Sequence, residues 1–307
     1  MRIAVIGAGG VGGYFGARLA QAGHDVAFVA RGAHLAAIRE HGLGIESARG
    51  NATIRNAPAT DDPATLDPCD VIMFCVKLWD VESAAGQIAP LAAKGGVVIP
   101  FQNGLASHAI LARALGAAHV LGGVAYIGAT VRAPGVIAHT GTMARLRIGA
   151  FPGGPADRAA GFVDACIQAG IDAELSADIE RALWEKFCFL SAFSGCTCLI
   201  RRPIGAVRSD PDVRAIFESA IREGWAVGRK RGVALADDYV AQQLSASDAL
   251  PEDMNSSMLN DLNAGNRLEA PWLSGAVARM AGESGLPAPV SATLFAAVKP
   301  YVNGARR

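Results

Sequence analysis

Two groups of residues in this chain have types and spacings that chemistry can use. The first is the glycine pattern Gly7, Gly9 and Gly12, which follows the apolar run Ile3-Ala4-Val5-Ile6. A G-x-G-x-x-G turn between a strand and a helix is a device for a dinucleotide. Gly7 permits the tight exit from the strand, Gly9 lets the backbone approach a pyrophosphate, and Gly12 lets the helix pack closely on the sheet. A glycine-rich turn alone is also met for structural reasons. Here an amphipathic stretch from Tyr14 to Ala22 and a second strand from Val26 to Ala30 complete a βαβ unit of the right length. The second strand ends in Arg31, where an NAD-selective site usually places Asp or Glu on the ribose 2′-hydroxyl. A guanidinium suits a 2′-phosphate through charge-assisted, often bidentate hydrogen bonds, so the expected cofactor is NADP(H).

The second group is Lys186, with polar residues far along the chain. Lys186 shares a helical face with Ile179, Leu183 and Leu190. A lysine in an apolar stripe either loses water, which lowers its pKa and suits it to protonate a carbonyl oxygen, or snorkels past Leu190 to solvent. Downstream, Ser256-Ser257 stands at a helix start that ends beyond Asp261, and Glu269 precedes Pro271 at another. Serines at a helix start offer hydroxyls and backbone N–H groups to a carboxylate, and equally serve as plain caps. At its own helix start the Glu269 carboxylate is likewise favoured as a cap.

The elements that must position these groups divide at Leu175-Ser176. Residues 1–175 alternate short apolar strands with helices, as in a doubly wound parallel sheet. Cys69–Lys77 and Gly95–Gly104 read as buried strands with polar carboxyl ends, so Lys77 and Asn103 fall where such sheets bind ligands. Val120–Ile148 reads as a meander adding antiparallel edge strands to that sheet. Residues 176–307 read as helical throughout, with helices over 176–194, 212–230, 237–246, 256–264, 271–281 and 289–299. The expected architecture is α/β: an NADP-binding Rossmann-type domain over 1–175, then an all-helical substrate and catalytic domain over 176–307.

Composition bounds the function. The 307 residues are 51% hydrophobic, with 28 basic against 28 acidic side chains. That balance argues against a nucleic-acid or acidic-membrane partner. No uninterrupted apolar stretch reaches spanning length and no leader precedes the first strand, so the cytoplasm is the expected location. The six cysteines are scattered without a C-x-x-C, which reads as small core residues with no metal site.

Taken in order, these segments resemble the ketopantoate reductase (2-dehydropantoate 2-reductase) family over nearly the whole chain. The resemblance rests on the Gly7–Gly12 fingerprint, Arg31, Val76-Lys77, Gln102-Asn103-Gly104, Trp184-Glu185-Lys186, Ser256-Ser257-Met258 through Asp261, and Glu269 followed by Gly275. It implies a Rossmann domain followed by a helical one, with the active site in the cleft between them. By that resemblance Gly7, Gly9, Gly12, Arg31, Lys77, Asn103 and Glu269 hold NADPH, and Lys186 is the general acid. Asn103, Ser194, Ser257 and Asp261 bind substrate, and Glu269 bonds its hydroxyl end. The implied reaction is hydride transfer from NADPH to C2 of 2-dehydropantoate, giving pantoate for pantothenate and coenzyme A synthesis. One departure stands out. The family commonly has asparagines one and two turns after the lysine, where this chain has Leu190 and Ser194. The pocket is therefore more apolar than the family pattern, and a paralogue reducing another branched 2-oxo acid is the nearest alternative. A non-catalytic NADP-binding regulator would not need Lys186 and Glu269, and a 3-hydroxy acid dehydrogenase would not explain the Ser257–Glu269 segment. The only expected small-molecule partner is the 2-oxo acid, and a homodimer is the assembly left open.

Overall fold

Strand β1 (Arg2–Ile6) and helix α1 (Gly10–Gln21) open the chain. They sit in a computed structural model that describes residues 1–305. Its contacts divide into two units, Met1–Gln102 with Ala106–Ala182, and Asn103–Leu105 with the chain from Leu183 onward. In the first unit β2 (Asp25–Val29), α2 (Gly32–His41), β3 (Leu43–Ser47), β4 (Ala52–Ile54) and β5 (Ala59–Thr60) come next. They lead to β6 (Val71–Phe74), α3 (Val81–Ala92), β7 (Val97–Pro100) and α4 (Ala106–Leu115). The unit continues through β8 (Gly122–Ala133), β9 (Val136–Gly149), α5 (Ala156–Gln168) and β10 (Asp172–Leu175).

One sheet has the order β5-β2-β1-β6-β7, with every pair parallel. Because all five strands run the same way, their carboxyl ends share one edge, and the reversal of order beside β1 makes the crevice there. β1, β6 and β7 are almost wholly buried Val, Ile, Met and Phe, as strands covered on both faces must be.

The segment 120–148 does not extend that sheet as antiparallel edge strands. Val120 makes one parallel bridge beside β7, and the chain then leaves to build a second sheet, β10-β9-β3-β4, with β8 paired to β9. The physical reason is α1, which lies against both sheets. A Cβ at Gly12 would stand 2.3 Å from the Gly7 carbonyl oxygen and 2.8 Å from Val5, on the first sheet. A Cβ at Gly10 would stand 2.1 Å from the Ala129 carbonyl oxygen on β8. The helix also begins four residues before the expected Tyr14, since Gly9 caps it and the glycines of its first turns are needed for these approaches.

In the second unit α6 (Ile179–Ile200) is followed by α7 (Ile204–Ser209), α8 (Pro211–Lys230), α9 (Tyr239–Asp248), α10 (Ser257–Asn263), α11 (Ser274–Glu283) and α12 (Pro289–Val298). Helix α6 starts in the first unit and passes into the second after Ala182. It runs six residues past the expected Ser194, because Cys196, Thr197 and Cys198 stay buried and Thr197 Oγ1 returns a bond to the Phe193 carbonyl, 2.7 Å away. By length and composition α6 is long and apolar enough to cross a membrane, and most of its apolar stretch is buried inside the protein. The single helix expected over 271–281 is instead a 3-10 turn, Ala270–Trp272, and α11, broken at Leu273. The Glu223 carboxylate on α8 accepts from the Val290 and Ser291 N–H groups at 2.8 and 2.7 Å, capping α12. All six cysteines are free thiols, five of them buried.

Glycine substitutions test the packing of α1. Gly12→Ala forces backbone apart and should cost ~1–3 kcal/mol or more. Gly86→Ala, on exposed α3 surface where a Cβ meets nothing within 4 Å, should stabilise by ~0.4–1 kcal/mol. Thermal unfolding of both variants checks the contrast.

Candidate functional site

At the carboxyl edge of the parallel sheet the glycine turn is held by its neighbours. Gly7 has φ +97°, and its N–H and that of Ala8 both donate to the Val29 carbonyl at 3.0 Å. A Cβ on Gly7 would lie 2.9 Å from the Cys75 carbonyl group, so the β1 and β6 exits touch. Gly9 differs: a Cβ there would meet nothing within 4 Å. Helix α1 begins at this open position with no side-chain cap and no acidic residue in its first turn. Orphan N–H donors beside open space, with no competing carboxylate, are what a pyrophosphate needs. Arg31 is exposed and is the N-cap residue of α2. Lys77 is exposed just past β6, with Nζ 5.6 Å from the centre of the Trp79 ring. These residues fit an anionic dinucleotide.

Gln102 also acts at this edge. Its Nε2 donates to the Phe74 carbonyl at 2.8 Å and the Val76 carbonyl at 3.0 Å, bracing the loop that carries Lys77. Its Oε1 is buried with no hydrogen-bond partner among the described residues. No sequence signal separated this brace from a polar strand end.

In the second unit, α6 presents Lys186, Leu190, Ser194 and Thr197 at three- and four-residue intervals along one side. Lys186 does not snorkel. Its Nζ donates to Asn103 Oδ1 at 2.9 Å. Burial lowers its pKa to about 8, and the nearby negative charge of Glu269 opposes that fall. Glu269 is buried, and although it heads a 3-10 turn its carboxylate makes no capping bond. The capping reading of Glu269 therefore gives way to one in which its negative charge acts on Lys186.

The serine pair divides its roles. Ser256 is the cap: its Oγ accepts from the Leu259 N–H at 3.0 Å and lies 2.8 Å from Thr197 Oγ1. That contact ties the start of α10 to the far end of the α6 stripe. Ser257, the first residue of α10, is left exposed. Asp261 engages the following turn, accepting from Asn266 Nδ2 at 3.2 Å and, through its backbone carbonyl, from the Asn266 N–H at 2.8 Å. Ser194 is fully buried, and its hydroxyl has no partner among the described residues. The structure thus joins Lys186 to Asn103 and Glu269, and Thr197 to Ser256. Thr197 and Ser256 were missed as a pair, since nothing in the sequence relates positions so far apart.

Comparison with known proteins decides the family. The model for "Ketopantoate reductase PanE/ApbA" matches residues 3–153, and that for its C-terminal part matches residues 178–302. The chain belongs to the ketopantoate reductase family. Within that family of oxidoreductases, it is 31% identical over 98% of its length to an uncharacterized oxidoreductase, YkpB, of Bacillus subtilis, covering 99% of that protein. It is 32% identical to a 2-dehydropantoate 2-reductase of Halobacterium salinarum, with 96% of each chain covered. A crystal structure of a PanE/ApbA family ketopantoate reductase from Ralstonia eutropha superposes with a TM-score of 0.90 at 31% identity, covering 98% of both chains. The fold, a Rossmann-type α/β part followed by a helical part, is that of the family.

The division of labour between the serines is open to test. Ser256→Ala removes a cap and the Thr197 contact and should cost ~1 kcal/mol in a denaturant titration. Ser257→Ala should leave stability within experimental error.

Proposed function

We propose that this chain is an NADPH-dependent 2-oxo acid reductase whose substrate is 2-dehydropantoate, reduced at C2 to pantoate. The observation that carries the reading is Lys186: an ammonium drawn down to about 8 by burial, bonded to Asn103 and facing the charge of Glu269. NADPH, when bound, supplies the hydride. Gly7, Gly9 and Gly12 shape the backbone that receives its pyrophosphate, and Arg31 and Lys77 are the cations for its phosphates. Lys186 holds the proton that passes to the carbonyl oxygen of the 2-oxo acid as that oxygen gains charge. Asn103 Oδ1 orients the ammonium by accepting one of its N–H bonds. Glu269 raises the pKa of Lys186 against the pull of burial, and its carboxylate is the acceptor for the substrate hydroxyl. Ser257 takes the substrate carboxylate, and Asp261 and Ser194 complete the polar groups assigned to the substrate. The expected setting is the cytoplasm.

A second reading, reduction of another branched 2-oxo acid, is favoured by one observation. Leu190 has no hydrogen-bonding group and Ser194 is wholly buried, at the two positions where the family pattern has asparagines. A site that bonds a hydroxyl strongly rejects the analogue lacking it, whereas an apolar pocket discriminates weakly. Steady-state assays of 2-dehydropantoate against its deoxy analogue separate the two. A larger kcat/KM for 2-dehydropantoate supports the first reading, and a larger value for the deoxy compound overturns it.

The lysine sets the pH profile. Its protonated form is the acid, and the protonated fraction falls as pH rises through about 8. Reduction should therefore be level below that pH and decline above it. Lys186→Ala should lose ~10²–10⁴-fold in kcat and the alkaline limb with it. Glu269→Gln removes the charge that raises the lysine's pKa, so the limb should move to lower pH; an unmoved limb would detach Glu269 from Lys186.

Arg31→Ala should weaken NADPH binding far more than NADH binding, measured by fluorescence titration. Comparable affinities for the two cofactors in the unaltered protein would overturn the NADPH assignment.

A further inference from the structure

His34, in the first turn of α2, takes part in none of the chemistry above, yet it links two distant turns. The Gly135 N–H donates to His34 Nδ1 at 2.9 Å. Nδ1 is thus the acceptor, which leaves the proton on Nε2, and Nε2–H donates to the Ala8 carbonyl at 2.8 Å. The ring bridges the β8–β9 turn and the centre of the glycine loop, using each nitrogen once.

The Gly135 end is anchored. Gly135 has φ +78°, its carbonyl accepts from the Gly44 N–H at 2.8 Å, and a Cβ on it would lie 3.0 Å from that of Ala37 on α2. The turn is therefore pressed on the helix that carries His34, and the imidazole has little freedom to tilt. The Ala8 end is the one that matters. The Ala8–Gly9 peptide is planar and trans, since no cis bond occurs among the described residues. Fixing its carbonyl toward His34 therefore fixes the Gly9 N–H on the opposite side. Gly9 is the residue of the loop with open space about it and the residue from which α1 starts. With no Cβ to restrict its backbone rotation, Gly9 leaves that peptide plane free to turn unless the carbonyl is held.

We propose that His34 is a positioning residue of the dinucleotide site, which sets the plane of the Ala8–Gly9 peptide so that the Gly9 N–H is presented to the pyrophosphate. The inference rests on the dinucleotide reading above. It also gives α2 two tasks one turn apart: Arg31 at its cap meets the 2′-phosphate, and His34 aims the loop at the pyrophosphate.

The test compares two ligands. NADPH carries the pyrophosphate, whereas adenosine 2′-monophosphate lacks it and retains the 2′-phosphate. In fluorescence or calorimetric titrations, H34A should bind NADPH on the order of 3–10-fold more weakly, the worth of one lost hydrogen bond. Its affinity for adenosine 2′-monophosphate should stay within about twofold of the unaltered protein. H34Q places an amide N–H near the position of Nε2 and should recover most of the NADPH affinity. Should H34A fold poorly by thermal unfolding, H34F keeps a ring without either hydrogen bond and takes its place. Unchanged NADPH affinity overturns the proposal. An equal loss for both ligands does so too, because His34 would then only hold α2 and Arg31 in place, and so does failure of H34Q to recover. If the unaltered chain fails to bind NADPH at all, the dinucleotide reading itself falls, a result distinct from each of these.

Discussion

The first unit depends on how closely α1 approaches backbone on two sides. Gly12 and Gly10 point to opposite sides of the helix, and a methyl group at either would collide with a carbonyl oxygen, of Gly7 in one case and of Ala129 in the other. A collision with backbone is not relieved by a rotamer change, so the two sheets hold their places only while these positions stay bare. The glycine turn that suits a pyrophosphate is thus also the packing element of the unit. Gly7 and Gly12 serve the parallel sheet, Gly10 serves the second sheet, and Gly9 alone is left facing open space.

The second unit is organised around a cost rather than a fit. Burying an ammonium is unfavourable, and the fall of the Lys186 pKa to about 8 expresses that penalty. Two groups offset it: the amide oxygen of Asn103, and the charge of Glu269. Asn103 comes from the first half of the sequence, directly after the parallel sheet, yet groups with the helices. Neighbouring Gln102 stays with the sheet, and the change of unit falls between two adjacent polar residues. Further along α6 the contact of Thr197 with Ser256 carries no net charge and serves to fix α10, leaving Ser257 exposed at its start.

Local signals in the chain carried a good deal of this. The G-x-G-x-x-G turn and the two buried strands that precede Lys77 and Asn103 were legible because each depends on residues close in sequence, and so, to within a residue, were the starts of α8 and α12. The termini were less so. Helix α1 begins earlier than its hydrophobic pattern, since glycines carry no hydropathy signal, and α6 outlasts its expected end because Thr197 satisfies its hydroxyl on the helix itself. The β8–β9 hairpin was legible as strands and misassigned as to sheet. Alternation tells which face of a strand is buried, and not which body buries it.

What the sequence determined by itself is therefore the local grammar: a strand–turn–helix for a dinucleotide, a cation at the next strand end, and a lysine inside an apolar stripe. Each of these is set by spacing within a few turns of chain. The tertiary structure alone decided between the readings that spacing leaves equal. It turned Lys186 inward by giving it Asn103 and the nearby charge of Glu269, made Ser256 rather than Ser257 the cap, and gave Asp261 a bond from Asn266. It also set His34 between Ala8 and Gly135. The reason is common to all four. A polar side chain takes the partner that packing brings within about 3 Å, and that partner can stand a hundred residues away.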